Sequence, residues 1–373
     1  MSLTLPPSSP ASITILGAGL MGRLLGVELA RRGHRIELHD AAGPRAEGSA
    51  ARVAAAMLAP LAESAVTEPG VVRMGQHALA RWPGLIAQLP APVYFQQEGT
   101  LILWHRQDAS EAAWLARKLV QTQAAIPELP APEAVDGARL AQLDPGMAGR
   151  FHQGLYLPGE GQLDNRQLLD ALLQGLEQLG ARLHWHSART PADFRPGTPG
   201  QPDLLLDCRG LGARADWRVL RGVRGEVVRL HAPGVALARP TRLVHPRYPI
   251  YIAPKQDHVF VIGATEIESD DLSPASVRST LELLSAAYAV HPGFAEARIL
   301  ELGTQCRPTL PDNLPAVRAV RPRVLEVNGL YRHGFMIAPA LLDVVLELLE
   351  AGQSPLARRF DLRVEEAAPA CTS

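Results

Sequence analysis

The sequence lacks the motifs that mark several large classes of enzyme. Its 373 residues include only three cysteines, Cys208, Cys306 and Cys371. They are far apart and odd in number, so neither a disulfide framework nor a CxxC metal site is expected. No GxSxG, GK[ST] or HExxH spacing occurs. The sequence therefore gives no case for a serine-triad hydrolase, a P-loop nucleotidase or a zinc protease of the HExxH type.

Charge of one sign is not in excess either, since 37 basic residues face 38 acidic ones. Bulk charge thus indicates neither nucleic acid nor an anionic membrane as a partner. Residues 1–11 are rich in proline and serine and have no basic start before an apolar core, which predicts a short disordered tail rather than a signal peptide. The apolar stretch Ile13–Ala30 carries Arg23 and Glu28, so stable membrane insertion is not expected. Low cysteine usage is typical of a cytoplasmic protein.

What the sequence does contain is a dinucleotide-binding motif near its N-terminus. The strand-like run Ile13–Leu16 leads into the GxGxxG spacing of Gly17–Gly22, and a helix at about Met21–Arg32 follows. A second strand then ends at Asp40, where a carboxylate can accept hydrogen bonds from a ribose. The agreement of strand, glycines, helix and acid predicts an adenine dinucleotide, but the motif does not separate NAD from FAD.

The run Ala50–Pro60 is unusually rich in small residues. Two interpretations remain open for it: an alanine-rich helix packed in the core, or a segment whose small side chains let the backbone approach something flat or bulky. The next apolar stretch, Val93–Trp104, resembles a hairpin or two adjacent strands. The proline-containing stretch Leu129–Pro145 is typical of a loop.

The order of elements predicts an α/β fold with two domains, the second of α+β type. The first βαβ unit, a segment with the clear helix Asp164–Leu179, and a C-terminal strand and helix indicate a discontinuous, Rossmann-like dinucleotide-binding domain. We predict that it comprises residues 12–75, 146–215 and 305–365. A substrate-binding domain with an antiparallel sheet is predicted for residues 76–145 and 216–304.

Two segments concentrate polar groups in what we predict to be irregular loops. Thr304–Asp312 contains Arg307, and Asn328–Pro339 contains Arg332 and runs into a C-terminal helix. Because guanidinium groups bind carboxylates in a bidentate way, two arginines near one pocket suggest an acidic group on the substrate. Ordinary surface ion pairs are the alternative. Tyr251 lies on a predicted strand, and the residues alone favour a core tyrosine there.

A metal site is not predicted. His184 and His186 share one face of a predicted strand, but no third ligand is near them in the sequence. Cys306, beside Arg307, suits either a thiol of lowered pKa or a small buried residue, and the second interpretation is preferred.

Together these pieces resemble the D-amino-acid oxidase family of FAD-dependent amine oxidases, and within it the glycine oxidases of the thiamine-pathway type. The resemblance extends over residues 12–362. The stretches that carry it are Ile13–Gly22 with Asp40, Ala54–Pro60, Asp207–Ala213, Tyr251–Thr265, Cys306–Asp312 and Gly329–Pro339. The last two of them are the most specific.

The resemblance implies tightly but non-covalently bound FAD, since the position that carries a flavin-linking cysteine in related sarcosine oxidases falls on Gln305. Met57 matches a methionine beside the flavin. The cofactor-binding residues implied are Gly17, Ala18, Gly19, Leu20, Met21, Gly22, Asp40, Ala56, Met57, Leu58, Gly210, Gly212, Arg332, His333, Gly334, Phe335 and Met336.

The resemblance also implies roles in catalysis. Arg307 matches the arginine that holds the substrate carboxylate, Tyr251 the tyrosine that hydrogen-bonds it, and Arg332 an arginine near substrate and flavin. Two residues depart from the family pattern. Glu266 stands where glycine oxidases commonly have an apolar residue, and Ala56 stands where they have a glycine before the methionine that Met57 matches. A carboxylate at position 266 that faces the pocket would alter which amine fits.

The implied activity is oxidative deamination of a small amino acid, such as glycine, sarcosine or a D-amino acid. Hydride passes from the substrate Cα to the flavin, dioxygen reoxidises the flavin to give hydrogen peroxide, and the imine hydrolyses to a 2-oxo acid. A homo-oligomer is possible. The alternatives are an amino-acid dehydrogenase that passes electrons to a quinone or a protein, an NAD-linked hydroxyacid dehydrogenase, and a non-catalytic binding module.

Overall fold

The computed structural model describes Thr4, residues 9–245 and residues 249–366. Residues 1–3 and 5–8 of the predicted tail therefore lie outside the described residues. The ordered fold has begun by Ala11, which is buried and whose carbonyl accepts a hydrogen bond of 2.8 Å from the Arg35 N–H. Across the described ranges, no helix has both the length and the apolar character needed to cross a membrane.

The described residues form 18 strands and ten α-helices. In chain order the strands are β1 (Ser12–Leu16), β2 (Arg35–His39), β3 (Met57–Leu58), β4 (Phe95–Gln96), β5 (Thr100–Trp104), β6 (Glu133–Asp136), β7 (Gln153–Leu157), β8 (Gly161–Leu163), β9 (Arg182–His184), β10 (Leu204–Asp207), β11 (Arg221–His231), β12 (Thr241–Val244), β13 (Ile250–Pro254), β14 (Val259–Gly263), β15 (Arg298–Thr309), β16 (Ala316–Arg321), β17 (Val324–Asn328) and β18 (Arg363–Glu366). The helices are α1 (Leu20–Arg31), α2 (Ala50–Val53), α3 (Pro60–Glu63), α4 (Pro69–Ile86), α5 (Ala109–Ala125), α6 (Gly137–Leu143), α7 (Asn165–Gln178), α8 (Val277–Val290), α9 (Gly334–Ala351) and α10 (Pro355–Arg359).

A seven-stranded sheet carries the dinucleotide motif. Its order is β18-β16-β17-β10-β1-β2-β9, and every pair is parallel except β16 with β17. Strands far apart in sequence thus lie side by side, as the discontinuous Rossmann-like prediction requires. The prediction of this fold class is confirmed.

Local sequence explains why the helices flanking this sheet form where they do. Asp164 caps α7 as predicted, since its carboxylate accepts hydrogen bonds of 2.9 Å from the Arg166 and Gln167 N–H groups. Gly26 lets α1 pack closely on α7, because a Cβ there would lie 2.9 Å from Leu176 Cδ2. Gly352, with φ of 71°, ends α9 in the left-handed conformation that favours glycine.

An eight-stranded sheet of order β15-β11-β14-β13-β12-β5-β7-β6 forms the second layer. It is antiparallel except where β12 pairs with β5. The prediction that Thr304–Asp312 is an irregular loop is wrong for its first half, because residues 304–309 continue β15. Pro308 is tolerated there because β15 is an edge strand. The outer side of an edge strand has no neighbouring strand, so a residue without a backbone N–H can lie there.

One predicted alternative and one predicted loop are wrong. Residues 93–104 contain two successive strands, but β4 and β5 do not form the hairpin that was the other alternative, because Gly99, with φ of 85°, turns the chain from a small sheet of order β3-β8-β4 into the eight-stranded sheet. The predicted loop Leu129–Pro145 contains β6 and α6. Asp136 begins α6 by accepting a hydrogen bond of 2.8 Å from the Arg139 N–H.

The domain boundaries remain a prediction. Two elements, β7 and α4, nevertheless pack with the domain other than the one predicted for them. Strand β7, within predicted segment 146–215, pairs with β5 and β6 in the eight-stranded sheet. Helix α4, largely assigned to the substrate-binding domain, packs on α9, and its Trp82 Nε1 donates a hydrogen bond of 3.0 Å to the Phe335 carbonyl. Sequence alone could not assign either element, because both depend on contacts with distant residues.

Candidate active site

A cavity of about 1310 Å³ runs between the two large sheets. This volume exceeds the ~300–1,000 Å³ typical of small-molecule sites, so a dinucleotide and a small substrate could share it. Its lining brings together all the predicted site residues except Ala18, Gly22 and Leu58, which are packed behind it. The residues that line it are Gly17, Gly19, Leu20, Met21, Asp40, Ala56, Met57, Gly210, Gly212, Tyr251, Arg307, Arg332, His333, Gly334, Phe335 and Met336.

The glycines of the N-terminal motif are needed by the packing around them. Gly17 has φ of 93°, and a Cβ there would lie 2.6 Å from the Cys208 carbonyl oxygen. A Cβ at Gly22 would lie 1.9 Å from the Gly17 carbonyl oxygen, so only glycine lets α1 start this close to the turn. Helix α1 begins with neither a side-chain cap nor an acidic residue in its first turn. Its N-terminus is thus suited to a phosphate.

Asp40 already has a structural task at the end of β2. Its Oδ2 accepts a hydrogen bond of 2.5 Å from the Ala18 N–H, and its Oδ1 accepts one of 2.7 Å from the Ala42 N–H. Each carboxylate oxygen retains a further lone pair, so a ribose hydroxyl can still be accepted. The acid therefore fixes the shape of the glycine turn as well as facing the cavity.

The small-residue run is not a long helix. After the four-residue α2, residues 54–56 are not helical: Ala54 is extended and Ala56 has φ of 53°. Ala54–Met57 lines the cavity. Lys255, which sequence reasoning missed, holds this segment from behind. Its ammonium donates to the carbonyls of Ala55 and Leu163 at 2.9 and 2.7 Å. Burial lowers the pKa of Lys255 to about 7. The interpretation of close backbone approach is therefore favoured over a core helix.

The segment after β17 delivers the N-terminus of α9 to the cavity. It passes through a short 3₁₀ turn, Tyr331–His333, and α9 begins at Gly334, so the predicted irregular loop Asn328–Pro339 is helical from Gly334 onward. Pro339 cannot donate a hydrogen bond to the Phe335 carbonyl, which instead accepts from Trp82 Nε1. This replacement explains why a proline is tolerated inside the helix, and α9 carries no side-chain cap at its N-terminus.

Arg307 is a cation without an acidic partner. Its Nη2 donates to the Thr265 carbonyl at 3.1 Å and its Nη1 to the Arg224 carbonyl at 3.4 Å, and among the described residues it forms no ion pair with a carboxylate. The guanidinium lies over Gly225, where a Cβ would be 2.4 Å from Nη2. A cavity-lining guanidinium with spare donors is suited to binding an anionic ligand group.

Tyr251 reaches the same sheet face from β13. Its hydroxyl lies over Gly263 on β14, where a Cβ would be only 2.3 Å away. Burial raises the pKa of Tyr251, against the lowering influence of Arg307, so the phenol stays protonated at neutral pH. Glycines on the intervening strands, Gly225 and Gly263, thus leave the room in which both polar side chains lie. A glycine within a strand is the signal that could have pointed to them.

Arg332 differs from Arg307 because two carboxylates engage it. Its Nη2 lies 2.9 Å from Glu63 Oε2, and its Nη1 lies 3.1 Å from Glu266 Oε2. Glu63 also contacts Arg242 and His333. Although burial acts to raise it, these cations hold the pKa of Glu63 well below its usual range. The sequence did not decide whether Glu266 faces the pocket. In the structure Glu266 lines the cavity, and its carboxylate is directed at Arg332.

Another buried acid, Glu160, lies behind this cluster. Its Oε1 accepts a hydrogen bond of 2.8 Å from the Ala62 N–H, while its Oε2 is buried and has no hydrogen-bond partner in the part of the chain that the structure describes. Burial raises the pKa of Glu160 to about 7, and the nearby Glu63 adds to the effect. No local sequence signal marks Glu63, Glu160 or Arg242, since their importance arises from distant contacts.

Comparison with known proteins places this geometry in a family. The model of the family described as FAD dependent oxidoreductase, DAO, matches residues 12–347. The chain belongs to this family of FAD-dependent oxidoreductases. Among curated relatives, the oxidoreductase ThiO of Rhizobium etli, named for thiamine biosynthesis, is 40% identical over 351 residues, which cover 93% of this chain and 99% of ThiO.

Other members of the family are more distant. Glycine oxidase of Geobacillus kaustophilus is 27% identical over 371 residues, or 94% of each chain. Its crystal structure superposes with a TM-score of 0.78 at 23% identity, covering 94% of this chain and 98% of that one. The iminodiacetate oxidase of Chelativorans sp. BNC1 gives the same TM-score at 21% identity, covering 95% of this chain and 100% of that one. At these identities the two structures show the shared fold.

The residues present fit FAD, the cofactor of the family. A Cβ at Gly19 would lie 3.0 Å from Ser49 Oγ, so glycine keeps the turn at the mouth of α1 open. The uncapped N-terminus of α1 and the cavity-facing Asp40 suit the pyrophosphate and a ribose, respectively. Cys306 is buried, and burial raises the pKa of its thiol, which agrees with the preferred interpretation of a small structural residue.

Proposed function

We propose that this FAD-dependent oxidoreductase oxidises a small amino acid, such as glycine, sarcosine or a D-amino acid, to an imine that hydrolyses to a 2-oxo acid. Dioxygen is the proposed electron acceptor, and hydrogen peroxide the second product. The names of the R. etli and G. kaustophilus relatives support a glycine oxidase of the thiamine-pathway type.

The observation that carries the proposal is the contrast between Arg307 and Arg332. Both line the cavity, but Arg332 is neutralised by Glu63 and Glu266, whereas Arg307 contacts only backbone carbonyls among the described residues. A substrate carboxylate would supply the missing counter-charge of Arg307 and form a bidentate pair with it. Tyr251, protonated at neutral pH, would donate a hydrogen bond to the same carboxylate.

The chain's own residues would contribute position and electrostatics. FAD, when bound, accepts the hydride from the substrate Cα and transfers the electrons to dioxygen. Arg307 and Tyr251 would hold the carboxylate so that the Cα is presented in a fixed orientation, which lowers the entropic part of the barrier. The N-terminus of α9 would direct its N–H groups and positive dipole end at negative charge that develops next to it.

Anaerobic reduction of the bound flavin tests the substrate class. The purified protein is mixed with glycine, sarcosine, D-amino acids and L-amino acids, each paired with its decarboxylated amine, and loss of the visible flavin band is followed. We expect bleaching by a small amino acid, and at least about a hundredfold slower bleaching by the paired amine, which lacks the carboxylate for Arg307. Equal bleaching by both members of each pair would contradict the proposed carboxylate contact.

The electron acceptor is tested separately under air. An oxidase releases one peroxide for each amino acid consumed, whereas a dehydrogenase needs an added quinone or protein acceptor. We expect stoichiometric peroxide. Rapid anaerobic bleaching without peroxide under air would leave the substrate assignment intact and replace the oxidase by an amino-acid dehydrogenase.

A further inference from the structure

A cluster of potential metal ligands lies on the seven-stranded sheet, outside the proposed substrate site. Glu37 and His39 are two residues apart on β2, so their side chains share one face, and His184 on β9 is paired directly with His39. One donor atom from each side chain lies within 4.8 Å of the others. The sequence prediction found no third ligand near His184 because its partners come from a strand more than a hundred residues earlier.

Two of the three donor-atom separations are short. Glu37 Oε1 lies 3.2 Å from His39 Nε2 and 3.0 Å from His184 Nε2. Ligands bound tetrahedrally to one ion at about 2.0–2.1 Å are separated by roughly 3.3 Å. The observed separations are therefore close to those expected around a transition-metal ion, and a small rotation of the exposed side chains would complete the fit.

The surroundings of His39 suit a metal ligand. The residue is 7% exposed, its Nδ1 lies 3.0 Å from Ser187 Oγ, and its buried Nε2 lies 3.2 Å from Glu37 Oε1. When Nδ1 carries the proton and donates it to Ser187, Nε2 presents a lone pair towards the carboxylate of Glu37. A metal ion bound by Nε2 and Glu37 would then replace the hydrogen bond that the other tautomer of His39 can donate to the carboxylate at 3.2 Å. A hydrogen bond to the second nitrogen is also the arrangement that orients metal-binding histidines.

Protons and a metal ion are competing ways to join Glu37 to the two histidines. The His39 and His184 rings stack with their centroids 4.4 Å apart and their planes 11° from parallel. Two neutral imidazoles can each donate one N–H to Glu37 Oε1, whereas two stacked imidazolium rings would repel each other. A divalent ion bound to all three side chains satisfies every donor at once.

We propose that Glu37, His39 and His184 bind a divalent transition-metal ion of the type preferred by imidazole, such as Zn²⁺. Two imidazoles and one carboxylate favour Zn²⁺, Ni²⁺ or Cu²⁺ over Mg²⁺ and Ca²⁺, which prefer all-oxygen sites. Glu37 and His184 are 39% and 43% exposed, so an ion can enter from solvent and retain water as a further ligand. The ion would join the edge strand β9 to β2 immediately before Asp40. The proposal does not depend on the proposed substrate.

Zinc binding by the FAD-loaded protein tests the proposal. The protein is treated with a chelator, dialysed and titrated with Zn²⁺ by calorimetry, and the unfolding midpoint is measured with and without Zn²⁺ or Mg²⁺. His184→Ala and Glu37→Gln remove exposed ligands and leave the buried His39 in place. His186→Ala is the matched control, because this histidine is two residues further on and outside the cluster.

We expect one Zn²⁺ per chain in the wild type and in His186→Ala, and at least about tenfold weaker binding in His184→Ala and Glu37→Gln. Zn²⁺ should raise the unfolding midpoint of the first two proteins only, because a ligand that binds the folded chain stabilises it, and Mg²⁺ should have no effect. Equal zinc affinity in the wild type and His184→Ala would overturn the proposal. So would a midpoint that responds to pH but not to Zn²⁺, since protons alone would then hold the cluster.

Discussion

The two ends of the cavity are built in different ways. The centre of the dinucleotide end comes from one continuous stretch, residues 12–40, in which β1, the glycine turn, α1 and β2 contact one another directly. The substrate end draws Glu63 from α3, Tyr251 from β13, Arg307 from β15 and Arg332 from the turn after β17. The first is a local structure and the second is a product of the complete fold.

This difference determines how each end should respond to mutation. At the dinucleotide end, backbone N–H groups and glycines provide most of the proposed cofactor contacts. A single side chain should therefore contribute only moderately to FAD binding. At the substrate end, a few charged side chains are partly or fully removed from water, where loss of one partner is costly. Mutations should therefore have larger and more selective effects at the substrate end.

The largest expected effect is that of Arg307→Ala. Removal of a charge partner from a desolvated pair costs about 3–5 kcal/mol, which is several hundredfold or more in kcat/KM. Arg307→Lys should restore only part of the activity, because an ammonium cannot form the bidentate contact. Steady-state kinetics with the best amino acid and its decarboxylated amine measure the effect, which should be large for the amino acid and small for the amine.

The matched control for Arg307 is Arg298→Ala, on the same strand but outside the cavity lining. It should leave kcat/KM unchanged, and all these variants should retain normal FAD content. Arg307→Ala could lower kcat/KM equally for the amino acid and its decarboxylated amine, or could leave both unchanged. Either result would show that Arg307 does not bind the substrate carboxylate.

The next largest effect concerns pH and Glu160. Burial raises its pKa in the folded protein to about 7, above the ordinary value of 4.5. The folded state therefore holds the proton over a range in which the unfolded state has lost it. The stability contributed by this group is complete below pH ~4.5 and declines as pH rises to about 7, by on the order of 3 kcal/mol.

Glu160→Gln removes this contribution, because the amide resembles the protonated acid and keeps an acceptor for the Ala62 N–H. Urea unfolding between pH 5 and 8 should show a variant whose stability falls less with rising pH than that of the wild type. Glu133→Gln, at an exposed position on β6, should follow the wild-type slope. Parallel slopes for Glu160→Gln and the wild type would mean that Glu160 is ionised in the folded protein.

At the dinucleotide end, Asp40→Asn should weaken FAD binding by about 1–3 kcal/mol, the range for hydrogen bonds to a charged group. The amide keeps one carbonyl oxygen, so it cannot accept from both ribose hydroxyls and also keep the Ala18 and Ala42 contacts. Fluorescence titration of the apoprotein with FAD measures the change, and the exposed Asp170→Asn is the control. Unchanged affinity would mean that Asp40 shapes the turn without contacting the ribose.

The same contrast explains how far sequence reasoning reached. Gly17–Gly22 and the Asp164 cap of α7 were predictable because their hydrogen bonds and close contacts join residues near in sequence or mark a recurrent motif. The resemblance to a known family supplied Arg307 and Tyr251, and the fold places both on the cavity lining. That they bind substrate remains a prediction.

Glu63, Glu160 and Lys255 were missed because their partners are distant in the chain. Lys255, for example, directly follows β13 of the eight-stranded sheet and donates to the carbonyls of Ala55 and Leu163, which lie outside that sheet. The loop predicted around Arg307 was wrong for a similar reason. Pro308 argues against a strand unless the strand lies at a sheet edge, and edge position depends on the topology of the complete sheet.

The smallest expected effect at the substrate end is that of Glu266→Gln. The Glu266 side chain is 49% exposed, and Arg332 retains Glu63 at 2.9 Å after the change, so no buried charge is left uncompensated. Partly exposed ion pairs contribute about 0.2–1 kcal/mol, which corresponds to at most about fivefold in kcat/KM. The exposed Glu268→Gln, which removes a pair with Arg221 outside the lining, should have no effect on kinetics. A loss above about a hundredfold with Glu266→Gln would show that this carboxylate contacts the substrate itself, and the substrate end would then contain a charged anchor of each sign, one for the carboxylate and one for the amine.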